Sequence, residues 1–110
     1  MSMDFSNLFS VAGKTVVITG GSRGIGEMIA AGFLSNGAKV IISSRKAQAC
    51  EETVERLKGQ YGGEIYAIPS DVGTLLGINH LADEIAKRED KIDVLINNAG
   101  VAWGATLEDF

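Results

Sequence analysis

The chain has 110 residues, a formal charge of −4 and 45% apolar side chains, enough for one ordinary domain with a real core. It holds no Lys/Arg block or basic stripe interleaved with aromatics, which excludes a nucleic-acid surface, and its one cysteine excludes an internal disulfide. A lone histidine gives no basis for a metal site, and with no membrane-length apolar run or secretory pattern the expectation is a soluble cytoplasmic protein without a membrane partner.

Along the chain, short apolar runs alternate with amphipathic stretches. The first run, Thr15–Thr19, leads into Thr19-Gly20-Gly21-Ser22-Arg23-Gly24-Ile25-Gly26 and then into a helical pattern over Ile25–Asn36, with Ile25, Met28, Ile29, Phe33 and Leu34 at helical spacing. A strand that delivers the chain to a tight turn opening a helix makes a phosphate cradle. The free N–H groups of the helix start carry about half a positive charge. Glycine is needed where backbone approaches a pyrophosphate or takes a positive φ, and Gly20, Gly24 and Gly26 supply it.

After the turn signal Asn36-Gly37, a second run follows at Lys39–Ser43 and a second helix over Lys46–Gln60. Its apolar stripe is Cys50, Val54, Leu57 and Tyr61, which makes Cys50 a buried core thiol rather than a nucleophile. Gly62-Gly63 then opens a third run at Glu64–Ile68, and a third helix covers Leu75–Glu89 with Ile78, Leu81, Ala82 and Ile85 inward and His80 on the solvated side. The fourth run is Ile92–Asn97. Strands alternating with helices predict parallel strands joined by right-handed crossovers, a doubly wound α/β sheet. In the dinucleotide version the strand order is 3-2-1-4, with ligand at the carboxyl ends of the strands.

The fourth strand is apolar on both faces at Ile92, Val94, Leu95 and Ile96, as a central parallel strand should be. In order 3-2-1-4 it is an edge unless more strands follow, and Thr106-Leu107-Glu108-Asp109 reads as another helix start. The expectation is that residues 1–110 are the front, cofactor-binding part of one larger domain.

Three signals then coincide. The glycine turn, Asp71-Val72 and Asn97-Asn98-Ala99-Gly100 stand in an order and spacing that resemble the short-chain dehydrogenases/reductases, from Leu8 onward. Within that family the chain is similar to the 3-oxoacyl-(acyl-carrier-protein) reductases. The segments Ser44-Arg45-Lys46-Ala47-Gln48-Ala49-Cys50 and Ala102-Trp103-Gly104-Ala105 resemble the rhamnolipid-associated subgroup.

The resemblance implies a Rossmann-like sheet that binds a nicotinamide dinucleotide. Gly20, Ser22, Arg23, Gly24, Ile25 and Gly26 would surround the pyrophosphate and the adenosine ribose. Asp71 would accept from the adenine amino group while the Val72 backbone contacts the ring; the other reading of Asp71, a helix-start or turn residue, can coexist with that role. Asn98, Ala99 and Gly100 would line the cofactor, and the Asn97 amide would brace neighbouring strands. Trp103 is placed to wall a substrate pocket, to cover apolar surface or to join a subunit contact.

The residue that closes the second strand selects the dinucleotide. A carboxylate there hydrogen-bonds the ribose and repels a 2′-phosphate. This chain instead has Ser43-Ser44-Arg45-Lys46, with no acid until Glu51. Arg45 offers a planar fork suited to phosphate, Ser44 a hydroxyl and Arg23 a second cation, so NADP(H) is predicted; the other reading of Arg45 and Lys46 is the start of a solvated helix. Arg23 at a helix N-terminus opposes the helix dipole unless an anion is present.

Catalysis in the family uses a tyrosine, a lysine four positions later and a serine, acting on a small carbonyl or alcohol substrate. Here Tyr61 is followed four places on by Ile65 and Tyr66 by Ser70, so no catalytic residue is assigned. The expectation is an NADP(H)-dependent reductase of a keto group, homo-oligomeric when full length, with residues 1–110 inactive alone. The competing readings are a non-catalytic dinucleotide-binding or scaffold module and a nucleotide-using methyltransferase. Asp71-Val72 joined to Asn97-Asn98-Ala99-Gly100 argues against the latter.

Overall fold

The computed structural model describes residues 10–98. The elements run β1 (Thr15–Thr19), α1 (Gly24–Ser35), β2 (Lys39–Ser43), α2 (Ala47–Tyr61), β3 (Ile65–Ala67), α3 (Leu75–Arg88) and β4 (Val94–Asn97). All pairings are parallel, in the order β3-β2-β1-β4, as the alternating pattern predicts. Ala99, Gly100, Trp103 and the Thr106–Asp109 helix start lie outside the described residues.

β1 and β2 are central because both faces of each are apolar and β-branched. Side chains alternate, so Val16, Ile18, Val40 and Ile42 face one layer, with Cys50, Val54 and Leu57 of α2 and Ala30 and Leu34 of α1. Val17 and Ile41 face the opposite layer, where Leu81 and Ile85 of α3 cover them with Ile68. Helices on both faces make the sheet doubly wound. Each fully buried Ile or Val in it stabilises the fold by roughly 1.5–3 kcal/mol.

Several boundaries and faces differ from the sequence reading. β3 is shorter than Glu64–Ile68, but its ladder continues at both ends through Val40 N–H to Glu64 O (2.9 Å) and Ile68 N–H to Ile42 O (3.0 Å). β4 begins at Val94, not Ile92. Asp93 just before it turns its carboxylate Oδ2 to the Thr15 N–H (2.9 Å), and Ile92 is left exposed. In α1 the buried face is Gly26, Ala30 and Leu34, whereas Ile25 and Met28 point to solvent. The physical reason is close approach. Small residues let α1 lie against the glycine turn and the sheet, which rotates the larger side chains outward.

Tyr61 does not continue the α2 core stripe. It is the last residue of the helix, beyond the cover of the sheet, and Thr53 is buried in the stripe instead. In α3 only Leu81 and Ile85 are buried, with Ile78 and Ala82 exposed like His80. Leu95 lies opposite Val17 in register, yet α3 does not reach it and it is 66% exposed.

Candidate functional site

The carboxyl ends of the four strands bring together the glycine turn, the Ser43–Lys46 segment, the Asp71 turn and Asn98. The glycine turn is anchored first. The Gly20 N–H donates to Ser43 O (2.6 Å), the Arg23 N–H to Gly20 O (3.4 Å), and Gly20 takes φ 76° and Gly24 φ 24°, both in the range that favours glycine. Gly26 is required for a different reason. A Cβ there would collide with Gly20 O and lie 2.7 Å from Asn98 Nδ2. The third glycine therefore keeps the helix start pressed against the turn.

α1 opens immediately after this turn. Arg23 is its N-cap in extended conformation and supplies no side-chain acceptor for the first N–H groups. Arg23, Gly24 and Ile25 are all exposed, so the positive end of the helix is accessible at the turn. A pyrophosphate fits the donor chemistry of this cradle: backbone N–H groups, a helix N-terminus and a guanidinium.

At the end of β2, Ser22 Oγ donates to Ser44 Oγ (3.1 Å), joining the glycine turn to the segment expected to select the cofactor. Ser44 Oγ also accepts from the Lys46 N–H (3.3 Å) and lies 3.0 Å from the buried Cys50 Sγ. Beneath them Ser43 and Ser70 share a buried hydroxyl pair at 2.8 Å, and the Ser70 N–H donates to Ser44 O (2.9 Å). Arg45 and Lys46 are exposed, and no ion pair among the described residues uses Arg23, Arg45 or Lys46. The Ser22–Ser44 contact thus joins two turns that each carry an exposed arginine next in sequence, with no carboxylate in the Ser43–Ala49 run.

Asp71 holds a turn. Its Oδ1 accepts from the Gly73 N–H (2.9 Å), and its carbonyl oxygen accepts from the Thr74 N–H (3.2 Å) and hydroxyl (3.1 Å). Thr74 then caps α3 by accepting from the Gly77 N–H (3.0 Å). Val72 is half-buried against the α3 layer. At β4, Thr19 Oγ1 donates to Asn97 Oδ1 (2.9 Å), so Asn97 braces β1 against β4. Asn98 donates from Nδ2 to Gly20 O (3.4 Å).

Neither described tyrosine belongs to this site. Tyr61 sits at the far end of α2. Tyr66 donates its hydroxyl to Glu89 Oε2 (2.8 Å) beneath Arg88, and burial, then the Glu89 hydrogen bond and charge, push its pKa well above the usual phenol value. Among the described residues there is no cluster of three or more His, Cys, Asp or Glu able to hold a metal, and no helix is long and apolar enough to cross a membrane.

Sequence reasoning missed Gly21, Gly77 and the thiol contact of Cys50. A Cβ on Gly21 would stand 2.6 Å from Ile42 Cγ2, and one on Gly77 would collide with the Asp71 carbonyl. An isolated glycine in the first turn of a helix, three places after a threonine cap, is the signal that could have exposed Gly77.

The model of the short chain dehydrogenase family matches residues 14–110. A rhamnolipids biosynthesis 3-oxoacyl-[acyl-carrier-protein] reductase of Pseudomonas aeruginosa is 46% identical over 102 residues, which are 93% of this chain and 39% of that protein. Among solved structures, the Pseudomonas aeruginosa RhlG/NADP active-site complex superimposes with a TM-score of 0.77 at 42% identity, over 87% of this chain and 40% of the other. L-Sorbose reductase from Gluconobacter frateurii, complexed with NADPH and L-sorbose, gives a TM-score of 0.79 at 31% identity, over 91% and 40%. The chain therefore spans less than half the length of the relatives it matches. Sequence and strand order lead to one conclusion: the chain belongs to the short-chain dehydrogenase family.

Proposed function

We propose that the protein is an NADP(H)-dependent oxidoreductase that reduces a keto group on a 3-oxoacyl thioester, and that residues 1–110 form the cofactor-binding part of its single domain. The observation that carries this reading is the surface at the end of β2, where the Ser22 and Ser44 hydroxyls meet at 3.1 Å and each is followed in the chain by an exposed arginine, Arg23 and Arg45. A 2′-phosphate satisfies that set, whereas the ribose hydroxyls of NAD(H) offer the cations no anionic partner. The solved relatives that hold NADP or NADPH support the choice, and the rhamnolipid-associated relative supports the thioester substrate.

The bound nicotinamide would supply hydride. The residues of this chain hold and orient the carrier: Gly20, Gly24, Ile25 and Gly26 at the pyrophosphate, Ser22, Arg23, Ser44 and Arg45 at the phosphorylated ribose, Asp71 and Val72 at the adenine. Asn98 at the end of β4 and, from the family resemblance, Ala99 and Gly100 would line the cofactor. None of these groups moves a proton in the reaction, and residues 1–110 alone turn over no substrate in this reading. Exposed Leu75, Leu76 and Leu95 support burial against further protein, and the family resemblance carries the reading of a cytoplasmic homo-oligomer.

The test is a pair of dissociation constants, for NADPH and NADH, in the full-length wild type and in Arg45→Asp. One charge-assisted hydrogen bond contributes roughly 1.5–3 kcal/mol, so the preference for NADPH should fall about 10- to 150-fold. An unchanged ratio refutes the role of Arg45. NADPH binding without turnover of any 3-oxoacyl thioester would favour a dinucleotide-binding module over the reductase.

A further inference from the structure

We propose that Cys50 is a positioning residue for cofactor selection, with its buried thiol holding the Ser44 hydroxyl, and through it Ser22, in the orientation that receives a 2′-phosphate. The inference rests on the NADP(H) reading above and adds to it a residue that touches no cofactor.

Cys50 has no exposed surface, and the other buried members of its apolar cluster are all aliphatic. A valine or alanine would serve packing there. The sulfur nevertheless lies 3.0 Å from Ser44 Oγ, close for a sulfur–hydroxyl hydrogen bond. Hydrogen-bond counting makes the contact directional. Ser44 Oγ accepts from the Ser22 hydroxyl and from the Lys46 N–H, which uses both of its lone pairs. Its own hydrogen is then donated to Cys50 Sγ.

A phosphate at this surface changes the demand, because both seryl hydrogens are needed by its oxygens. Ser22 and Ser44 then turn their O–H groups outward. Ser44 Oγ loses the donation from Ser22 and has a lone pair to fill. The Cys50 S–H rotates to fill it, while the Lys46 N–H stays in place. No covalent bond changes; three hydrogens reorient about fixed heavy atoms. The thiol is suited to this because it is both a weak donor and a weak acceptor, whereas an aliphatic side chain is neither. With NAD(H) there is no phosphate to draw the hydrogens outward, so the Ser22–Ser44–Cys50 chain remains as it stands and Cys50 has no effect.

The experiment is fluorescence titration of the full-length protein with NADPH and with NADH, which needs no turnover. Cys50→Val should weaken NADPH about three- to ten-fold, with NADH changed less than about two-fold. Cys50→Ser, which keeps both donor and acceptor, should preserve the wild-type ratio. Cys50→Ala carries the same expectation as Cys50→Val and replaces it should the valine protein not fold. In a Ser44→Ala background, Cys50→Val should have no further effect on NADPH. A wild-type NADPH/NADH ratio in both aliphatic variants overturns the positioning role and leaves the cofactor reading intact. A wild type that does not favour NADPH overturns the cofactor reading itself.

Discussion

The side-chain amide of Asn98 donates to the carbonyl oxygen of Gly20 at 3.4 Å, joining the end of β4 to the glycine turn across 78 positions of sequence. The contact exists because Gly26 has no side chain. A Cβ at Gly26 would occupy the space shared by Gly20 O and Asn98 Nδ2. Gly26→Ala should therefore displace the turn, with an overpacking cost of about 1–3 kcal/mol, and weaken NADPH binding at least about tenfold. Gly32 provides the contrast in the same helix, since a Cβ there meets nothing within 4 Å. Gly32→Ala should raise stability by about 0.5–1 kcal/mol and leave NADPH affinity unchanged. Thermal melts and titrations of the two variants check both halves.

The Asp71 turn is held by α3 through an equally close approach. Gly77 in the first helical turn faces the Asp71 backbone, with a would-be Cβ 3.0 Å from Asp71 N and in collision with Asp71 O. Gly77→Ala should shift Asp71 and Val72 together and so weaken the adenine contacts of NADPH and NADH alike. Thr74→Ala removes the cap that accepts from the Gly77 N–H and should cost about 1 kcal/mol in stability. Equal losses for both dinucleotides in Gly77→Ala would distinguish this effect from the selective loss in Arg45→Asp.

These two glycines mark where the sequence stops being legible. The strand order and both helix layers follow from alternating β-branched runs and helical stripes, because β1 and β2 are buried on both faces and leave no ambiguity. The glycine turn, Asp71-Val72 and the two asparagines are equally plain, since each is a local spacing. What fails is whatever depends on distance between elements. α1 reads as packing through Ile25 and Met28, but the approach demanded at Gly26 turns that face outward. Tyr61 has the right period for the core yet lies beyond the sheet. Cys50 reads as a filler of the core, and only the position of Ser44 above it gives its thiol a partner.

At the opposite end of the sheet, Glu89 gathers α3, β2 and β3. Its carboxylate accepts from Lys39 Nζ at 3.1 and 3.3 Å and from the Tyr66 hydroxyl at 2.8 Å, and its side chain is only 8% exposed. The hydrogen bond to Glu89 raises the Lys39 pKa, and burial together with Glu89 raises that of Tyr66. Groups raised in the folded state stabilise it fully below their unfolded values, near pH 10, and lose that contribution as pH climbs through the folded ones. The wild type should thus hold its Tm into mildly alkaline solution and fall beyond about pH 10. Glu89→Gln should melt lower at pH 8 and show a shallower alkaline decline. Tyr66→Phe should cost about 1–2 kcal/mol at neutral pH. An alkaline limb of unchanged steepness in Glu89→Gln would contradict the assignment.

On the acid side the decisive group is Asp93. Its carboxylate receives the Thr15 N–H at 2.9 Å, fastening the entry to β4 onto the first residue of β1, and that hydrogen bond, with help from Lys91, holds its pKa below the usual value. Glu27 beside Arg56 and Glu84 beside Lys87 are lowered in the same direction. A lowered carboxylate stabilises the fold above its unfolded pKa, about 4, and the contribution is lost as pH falls through the folded value. Asp93→Asn keeps an acceptor for Thr15 but cannot be protonated in this range, so its Tm should fall less than that of wild type between pH 5 and about pH 2. Salt separates the contributions. The exposed Glu84–Lys87 pair is screened at high ionic strength, while the shorter-range hydrogen bond from backbone to Asp93 persists. Acid melts in high salt should therefore still distinguish Asp93→Asn from wild type, and superimposable curves would show that the Thr15 contact carries none of the acid sensitivity.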